Sequence, residues 1–197
     1  MVSPQKTIII LKHDTVARGL IGEILKRFER AGLKLVAFKF VQAEKDIAVK
    51  HYPSEDAWFQ AVGDRTLLEY QEKKLNPIKE IGTKDPIKIG KLVKKWNVEY
   101  LTEGPVLAMV WEGYDAIKQA RKIVGSTNPA VAVPGTIRGD YSIDNAELAN
   151  ALRRPFRNLI HASGNEIEAQ NELDLWFDAS EICSGYLRAD QEMMFKA

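Results

Sequence analysis

Hydrophobic and polar positions along this chain switch between two periods, and the switches outline its elements. Thr7 to Leu11 is an unbroken β-branched and apolar run bounded by lysines, which reads as a buried strand. Leu20, Ile21, Ile24, Leu25 and Phe28 then share one helical face, so a helix is predicted over Leu20 to Ala31, stopped by Gly32. Leu33, Leu35 and Ala37 alternate with lysines, and Leu33 to Val41 reads as a second strand. Glu44 to His51 is a short helix leading to Tyr52-Pro53. From Ser54 to Trp96 the pattern is helical in pieces: Glu55 to Val62, then Arg65 to Leu75, then a helix after Asp85-Pro86. Asp85-Pro86 supplies N-cap and N1 chemistry ahead of Ile87, Ile89, Leu92, Val93 and Trp96. Asn76-Pro77 and Gly82 are the breaks.

The second half starts with Val106 to Trp111, a continuous apolar run and the third strand. Tyr114 to Val124 is a helix with Ile117, Ala120, Ile123 and Val124 as its apolar positions. Gly125 to Pro134 is rich in turn residues, and a loop continues through Asp140. Ile143 to Leu152 is an extra helix closed by Arg153-Arg154-Pro155. Leu159-Ile160 is the last strand, ended by His161. Ser163 and Glu166 have capping-box spacing before a helix predicted over Asn165 to Phe177. The tail from Asp178 is expected to pack on the core or on a neighbour. This order of elements, with short connections, points to one α+β domain over 1–197 with a ferredoxin-like β-α-β-β-α-β core flanked by helices. A helical insertion occupies about 54–100 and a shorter one about 142–156.

Composition narrows the function classes. The chain has 197 residues, 45% hydrophobic and 28% charged, enough for one domain with a sizeable core. Its net charge of +1 gives no basic field for nucleic acid. Cys183 is the single cysteine, so no internal disulfide forms, which fits a reducing compartment. No run approaches the roughly 18 apolar residues of a membrane helix. Met1 to Lys6 is polar and does not resemble a signal peptide. A cytoplasmic protein that binds neither membrane nor nucleic acid is expected.

The candidate chemistry gathers around His161. It is predicted where a strand meets a helix N-terminus, and unpaired N–H groups at such a junction favour an anion. A neutral imidazole nitrogen is nucleophilic near pH 7 and can accept and pass on a phosphoryl group delivered in line. A lone strand-end histidine is more often a hydrogen-bonded core residue, and the surrounding motifs change that balance. Arg121, Gly125-Ser126-Thr127-Asn128-Pro129, Pro134-Gly135-Thr136-Ile137-Arg138-Gly139-Asp140, Asn158-Leu159-Ile160-His161 and Glu172-Leu173-x-Leu175-Trp176-Phe177 follow one another in that order. Ahead of them stand Ile8-Ile9-Ile10-Leu11-Lys12-His13-Asp14, Arg18-Gly19-Leu20-Ile21-Gly22-Glu23 and Gly104-Pro105-Val106-x-Ala108-Met109-Val110-Trp111-Glu112-Gly113. Together they cover about three quarters of the chain, and the series resembles the nucleoside diphosphate kinase family.

That resemblance implies a four-stranded antiparallel sheet. It also implies γ-phosphate transfer from a nucleoside triphosphate to a nucleoside diphosphate, in ping-pong fashion, through a pros-phosphohistidine at His161. It casts Glu172 as the carboxylate that orients His161, with Ser163 capping the last helix or bonding the same carboxylate. Lys12 is placed beside the transferred phosphate. Arg121, Arg138 and Thr127 serve the phosphate oxygens, Asn158 the sugar hydroxyl and phosphate side, and Tyr52 lies near the phosphates. An aromatic against the base is expected in the first insertion, Phe59 or Trp58. Alternation along a regular strand sets Asn158 and His161 on opposite faces, so a bend is needed to bring both to one site. His13 and His51 are expected to be structural or exposed, and three scattered histidines do not make a metal site. Magnesium is expected on the nucleotide phosphates, with no protein side-chain ligands.

The chain departs from the family in five places, one of them His13, which replaces a proline and loosens the turn after Lys12. Roughly thirty residues are added between Tyr52 and Gly104, and about ten between Asp140 and Asn158, where the family makes subunit contacts. Ala162 replaces a glycine after the nucleophile, and Gly164 an acidic residue. A homo-oligomer is implied by the family. The alternative function, motivated by Ala162 and the insertions, is a kinase-like nucleotide-binding or assembly protein with little turnover.

Overall fold

In a computed structural model, residues 3–195 are described. Met1 and Val2 of the polar lead and the last two residues of the tail lie outside them. The strands are β1 (Gln5–Leu11), β2 (Lys34–Gln42), β3 (Pro105–Gly113) and β4 (Ile160–Ala162). They form one sheet in the order β2-β3-β1-β4, with every neighbouring pair antiparallel. This is the ferredoxin-like α+β arrangement.

Both faces of the sheet are buried, which explains why β1 and β3 read as unbroken apolar runs. Ile9, Leu11, Met109 and Trp111 point to one face. There they pack on Ile24 and Phe28 of α2 (Ile21–Arg30) and on Ala116, Ala120 and Val124 of α7 (Ala116–Val124). Ile8, Ile10, Ala108 and Val110 point to the other. There they meet Ala48 of α3 (Lys45–His51), Val98 and Leu101 of α6 (Pro86–Thr102) and Trp176 of α10 (Glu166–Trp176). The remaining short helices are α1 (His13–Ala17), α5 (Pro77–Ile81), α8 (Ile137–Tyr141), α9 (Ala146–Ala151) and α11 (Ala189–Phe195).

The first insertion is a helical hairpin. One helix, α4 (Asp56–Glu72), replaces the two pieces expected over Glu55 to Val62 and Arg65 to Leu75. Gly63, at the expected gap, stays helical because it lets backbones touch. A Cβ there would meet the Pro86 carbonyl oxygen at 2.0 Å, and one on Gly90 would meet that of Phe59 at 2.2 Å. The hairpin has its own core of Tyr70, Ile81, Ile89 and Trp96. The N-cap read at Asp85 holds, accepting from Lys88 N–H, while Asn76, read as a break, also caps a helix, accepting from Ile78 N–H. In the second insertion Asn145 caps α9, and Asp144 takes a two-pronged contact from Arg154. The insertions touch, Arg153 Nε donating to the Glu80 carbonyl at 3.2 Å.

Two local expectations are corrected. The loop through Asp140 contains α8, because the Thr136 hydroxyl caps it at Gly139 N–H. The Ser163/Glu166 capping box does not form. Asn165 is the N-cap, accepting from Glu168 N–H, and the Ser163 hydroxyl is drawn inward to the sheet and to Glu172. The tail packs on the core: Cys183 N–H donates to the Val36 carbonyl, and Arg188 donates to those of Leu33 and Glu29.

Candidate active site

His161 owes its direction to register. It pairs with Ile10 across the antiparallel β1–β4 ladder, so its side chain stands on the face where Ile10 points. That face is covered by α3 and α10. Ala169, Glu172 and Trp176 form the buried stripe of α10, so Glu172 is aimed at the sheet. Its Oε1 lies 2.8 Å from His161 Nε2, and its Oε2 accepts from the Ser163 hydroxyl at 2.6 Å. Burial pushes the Glu172 carboxyl up, but the histidines and the two hydrogen bonds outweigh it and hold it below the usual range. With a carboxylate on Nε2, that nitrogen carries the proton, and Nδ1 keeps its lone pair.

His51 is the residue that sequence reasoning missed. It is buried, its ring packed edge-on against His161 with centroids 4.4 Å apart. Its Nδ1 accepts from the Trp176 indole at 3.3 Å. Burial, then the neighbouring His161, hold its pKa down to about 3, so it stays neutral. The signal was present: His51 shares the buried face of α3 with Ala48, three residues earlier.

The required bend lies at Leu159. This residue has φ +69°, and Ile160 N–H closes a three-residue turn onto the Asn158 carbonyl at 2.7 Å. For a leucine such backbone is strained and persists only where its surroundings over-determine it. Here Lys12 N–H and the Thr15 hydroxyl both donate to the Leu159 carbonyl, while Asp14 accepts from Leu159 N–H. Tyr100 ties the corner, donating to Asp14 at 2.6 Å and accepting from Asn158 N–H.

The turn brings Asn158 beside Lys12, whose ammonium donates to Asn158 Oδ1 at 2.9 Å. Asn158 Nδ2 in turn donates to the Thr127 carbonyl at 3.0 Å. Lys12 is only 6% exposed. Burial, reinforced by Arg138, lowers its pKa to about 7. Arg138 is buried too; it donates to the carbonyls of Asn158, Gly125 and Ile160, and burial and Arg121 lower its pKa to about 10. Gly125, at φ +85°, lets the turn carrying Thr127 press on Thr136, whose Oγ1 would lie 2.5 Å from an added Cβ.

These groups share one cavity of about 400 Å³. Lys12, Tyr52, Arg121, Thr127, Arg138, Asn158 and His161 all line it, as does Ala162. Of the two aromatic candidates, Trp58 lines it, while Phe59 is 6% exposed and packs toward α6, with Lys91 over its ring, which favours Trp58. Other walls come from α4, α6 and the stretch 149–156. The floor is cationic, while the nearby carboxylates of Glu172 and Asp14 are already engaged. That donor set fits a hard cation carried on phosphate oxygens rather than in a protein cage. Ligand atoms of His51, His161 and Glu172 lie within 4.8 Å of one another, but this nitrogen-rich set is committed to hydrogen bonds and does not suit magnesium. No helix among the described residues is long and apolar enough to cross a membrane.

Comparison with known proteins shows the family. The family model for nucleoside diphosphate kinase matches residues 5–62 and 89–182. The nucleoside diphosphate kinase of Pyrobaculum aerophilum is 47% identical over 178 residues, 90% of this chain and 97% of that protein. That of Methanothermobacter thermautotrophicus is 38% identical, covering 98% and 99%. The crystal structure of the Pyrobaculum aerophilum NDP kinase superposes with a TM-score of 0.89 at 46% identity, covering 92% of this chain and all of that one. A Borrelia burgdorferi nucleoside-diphosphate kinase with bound vanadate and ADP, a transition state mimic, gives 0.77 at 34% identity, covering 98% of each chain. By its fold, by its grouping of histidine, carboxylate and cations, and by matches over most of its length, this chain belongs to the nucleoside diphosphate kinase family.

Proposed function

We propose that the protein transfers the γ-phosphate of a nucleoside triphosphate to a nucleoside diphosphate in two half-reactions at His161. The carrying observation is the Glu172–His161 pair opening into a cavity floored by Lys12, Arg121 and Arg138. In the first half-reaction the Nδ1 lone pair attacks γ-phosphorus in line, the bond to the β,γ-bridging oxygen breaks, and the nucleoside diphosphate leaves. Glu172 keeps the proton on Nε2 and offsets the positive charge that grows on the ring as Nδ1 bonds phosphorus. Lys12, Arg121, Arg138 and the Thr127 hydroxyl stabilise charge on the phosphate oxygens, and Asn158 holds Lys12 in place. Neutral His51 packs the ring without adding a second cation. A second nucleoside diphosphate then takes the phosphoryl group by the reverse path, which makes the kinetics ping-pong. Magnesium bound to the phosphates neutralises part of their charge.

Two further readings belong to this proposal. Phe38 and Phe40, 65% and 57% exposed on edge strand β2, support a homo-oligomer. The lone, exposed Cys183 supports a cytoplasmic setting.

The test is incubation with γ-labelled ATP and magnesium. The protein acquires an acid-labile, base-stable label that moves to added nucleoside diphosphate, and His161→Ala acquires none. Equal labelling of that variant rejects the mechanism, and no label on the parent protein favours the alternative of a nucleotide-binding protein with little turnover.

A further inference from the structure

Tyr100 meets the site with both its hydroxyl and its ring, and phosphoryl transfer as described gives neither a part. It is buried near the C-terminal end of α6, the helix that also packs on α4. Its hydroxyl donates to Asp14 Oδ2 at 2.6 Å and accepts from the N–H groups of Asn158 at 3.1 Å and Leu159 at 3.4 Å. Those two donors lead into the left-handed backbone of Leu159, and Asp14 Oδ2 takes the Leu159 N–H as well, at 3.2 Å. A side chain from α6 thus holds the bend that sets Asn158 beside Lys12.

The ring of the same residue faces the Lys12 ammonium, 4.4 Å from the centroid, and Arg157 lies over it at 4.7 Å. A buried ammonium ordinarily takes a carboxylate partner. Lys12 donates instead to a neutral amide oxygen. Asp14, close by in sequence, is engaged at Oδ1 by Thr15 N–H and at Oδ2 by Tyr100 and Leu159. An aromatic face attracts a cation without carrying a charge of its own. It therefore steadies Lys12 without neutralising it, and leaves the other ammonium N–H groups to an incoming phosphate. Burial and then Arg138 lower the Lys12 pKa, Asp14 raises it and Arg157 lowers it. His51 stands within its field, and Arg121 and His161 line the same cavity. Against this largely cationic surround, the ring and Asp14 favour the charged form.

We propose that Tyr100 is a positioning residue for phosphoryl transfer, its ring seating the Lys12 ammonium and its hydroxyl holding the bend that carries Asn158 to that ammonium.

This inference rests on the kinase reading, and its test separates the two. The initial rate at which limiting γ-labelled ATP, with magnesium, labels His161 is followed from about pH 6 to 10, which reports groups of the free protein. The parent protein is compared with Tyr100→Phe and Tyr100→Leu. The rate falls on the alkaline side as Lys12 loses its proton. Tyr100→Leu removes a contact that favours the charged form, so its alkaline limb moves to lower pH by about one unit. Tyr100→Phe keeps the ring and the parent's limb. Its rate is about tenfold lower across the range, because the Asn158 N–H loses its acceptor and the bend shifts. NMR of the parent protein, which needs no Tyr100 variant to fold, shows the Lys12 ε-methylene protons, assigned with Lys12→Arg, shifted upfield by the ring. A Tyr100→Leu protein with the parent's limb, a Tyr100→Phe protein with the parent's rate, or Lys12 protons at the ordinary lysine position overturns the inference and leaves the kinase reading intact. A parent protein that takes no label overturns the kinase reading and the inference with it.

Discussion

At Lys12 a buried ammonium is held by one amide oxygen and the face of Tyr100, 4.4 Å from the ring centroid. Its pKa of about 7 in the free protein reflects lost hydration first and Arg138 second. Nucleotide phosphates favour the charged form and raise that value. Binding above pH 7 therefore takes up a proton, and affinity falls as pH rises, by up to about tenfold per unit until the raised pKa of the complex is reached. Calorimetry of nucleotide binding at pH 8, in buffers of different ionisation enthalpy, checks this; no proton uptake would show that Lys12 is already charged in the free protein. His161, Lys12 and Arg138 were legible because their motifs name them. For His51 the buried helix face was legible, but the ring contact with His161 across two elements was not. The Ser163/Glu166 pattern misled because the Ser163 hydroxyl finds a buried carboxylate, a stronger partner than an exposed helix end.

Among the elements, α4 and α6 depend on the closest approach. Glycine to alanine in a helix normally stabilises by about 1 kcal/mol. At Gly63 the sign reverses, because the added methyl meets the Pro86 backbone rather than a side chain that can swing away. Gly63→Ala is expected to destabilise by about 1–3 kcal/mol in denaturant titrations. Because α4 forms a cavity wall, the same variant raises KM for nucleotides more than it lowers kcat. An increase in stability would mean that the two helices do not touch there. Element types were readable from periodicity, but the continuity of α4 was not. A glycine in a helical pattern reads as a gap until the helix it packs against is known.

For the molecule as a whole, the sheet core and the hairpin core are separate clusters, so the added residues extend the site without rebuilding the fold. The described tail hydrogen-bonds near Leu33, Leu35 and Val36 but leaves Phe38 and Phe40 exposed. In a homo-oligomer these two rings are covered by another copy. Phe38→Glu combined with Phe40→Glu is expected to lower the mass measured by light scattering to that of a smaller species, with the far-UV spectrum retained. An unchanged mass would place the subunit contact elsewhere.

By itself the amino-acid sequence determined the order of the strands, the α+β class and the residues proposed for phosphoryl transfer. Those properties reside in local periodicity and in short runs of named residues. Tertiary structure alone decided that Leu159 bends the chain, that His51 backs His161, that Trp58 rather than Phe59 meets the cavity, and that α4 and the stretch 149–156 wall it. Each of these is a contact between segments distant in sequence, and a linear pattern carries no term for which segment will lie opposite.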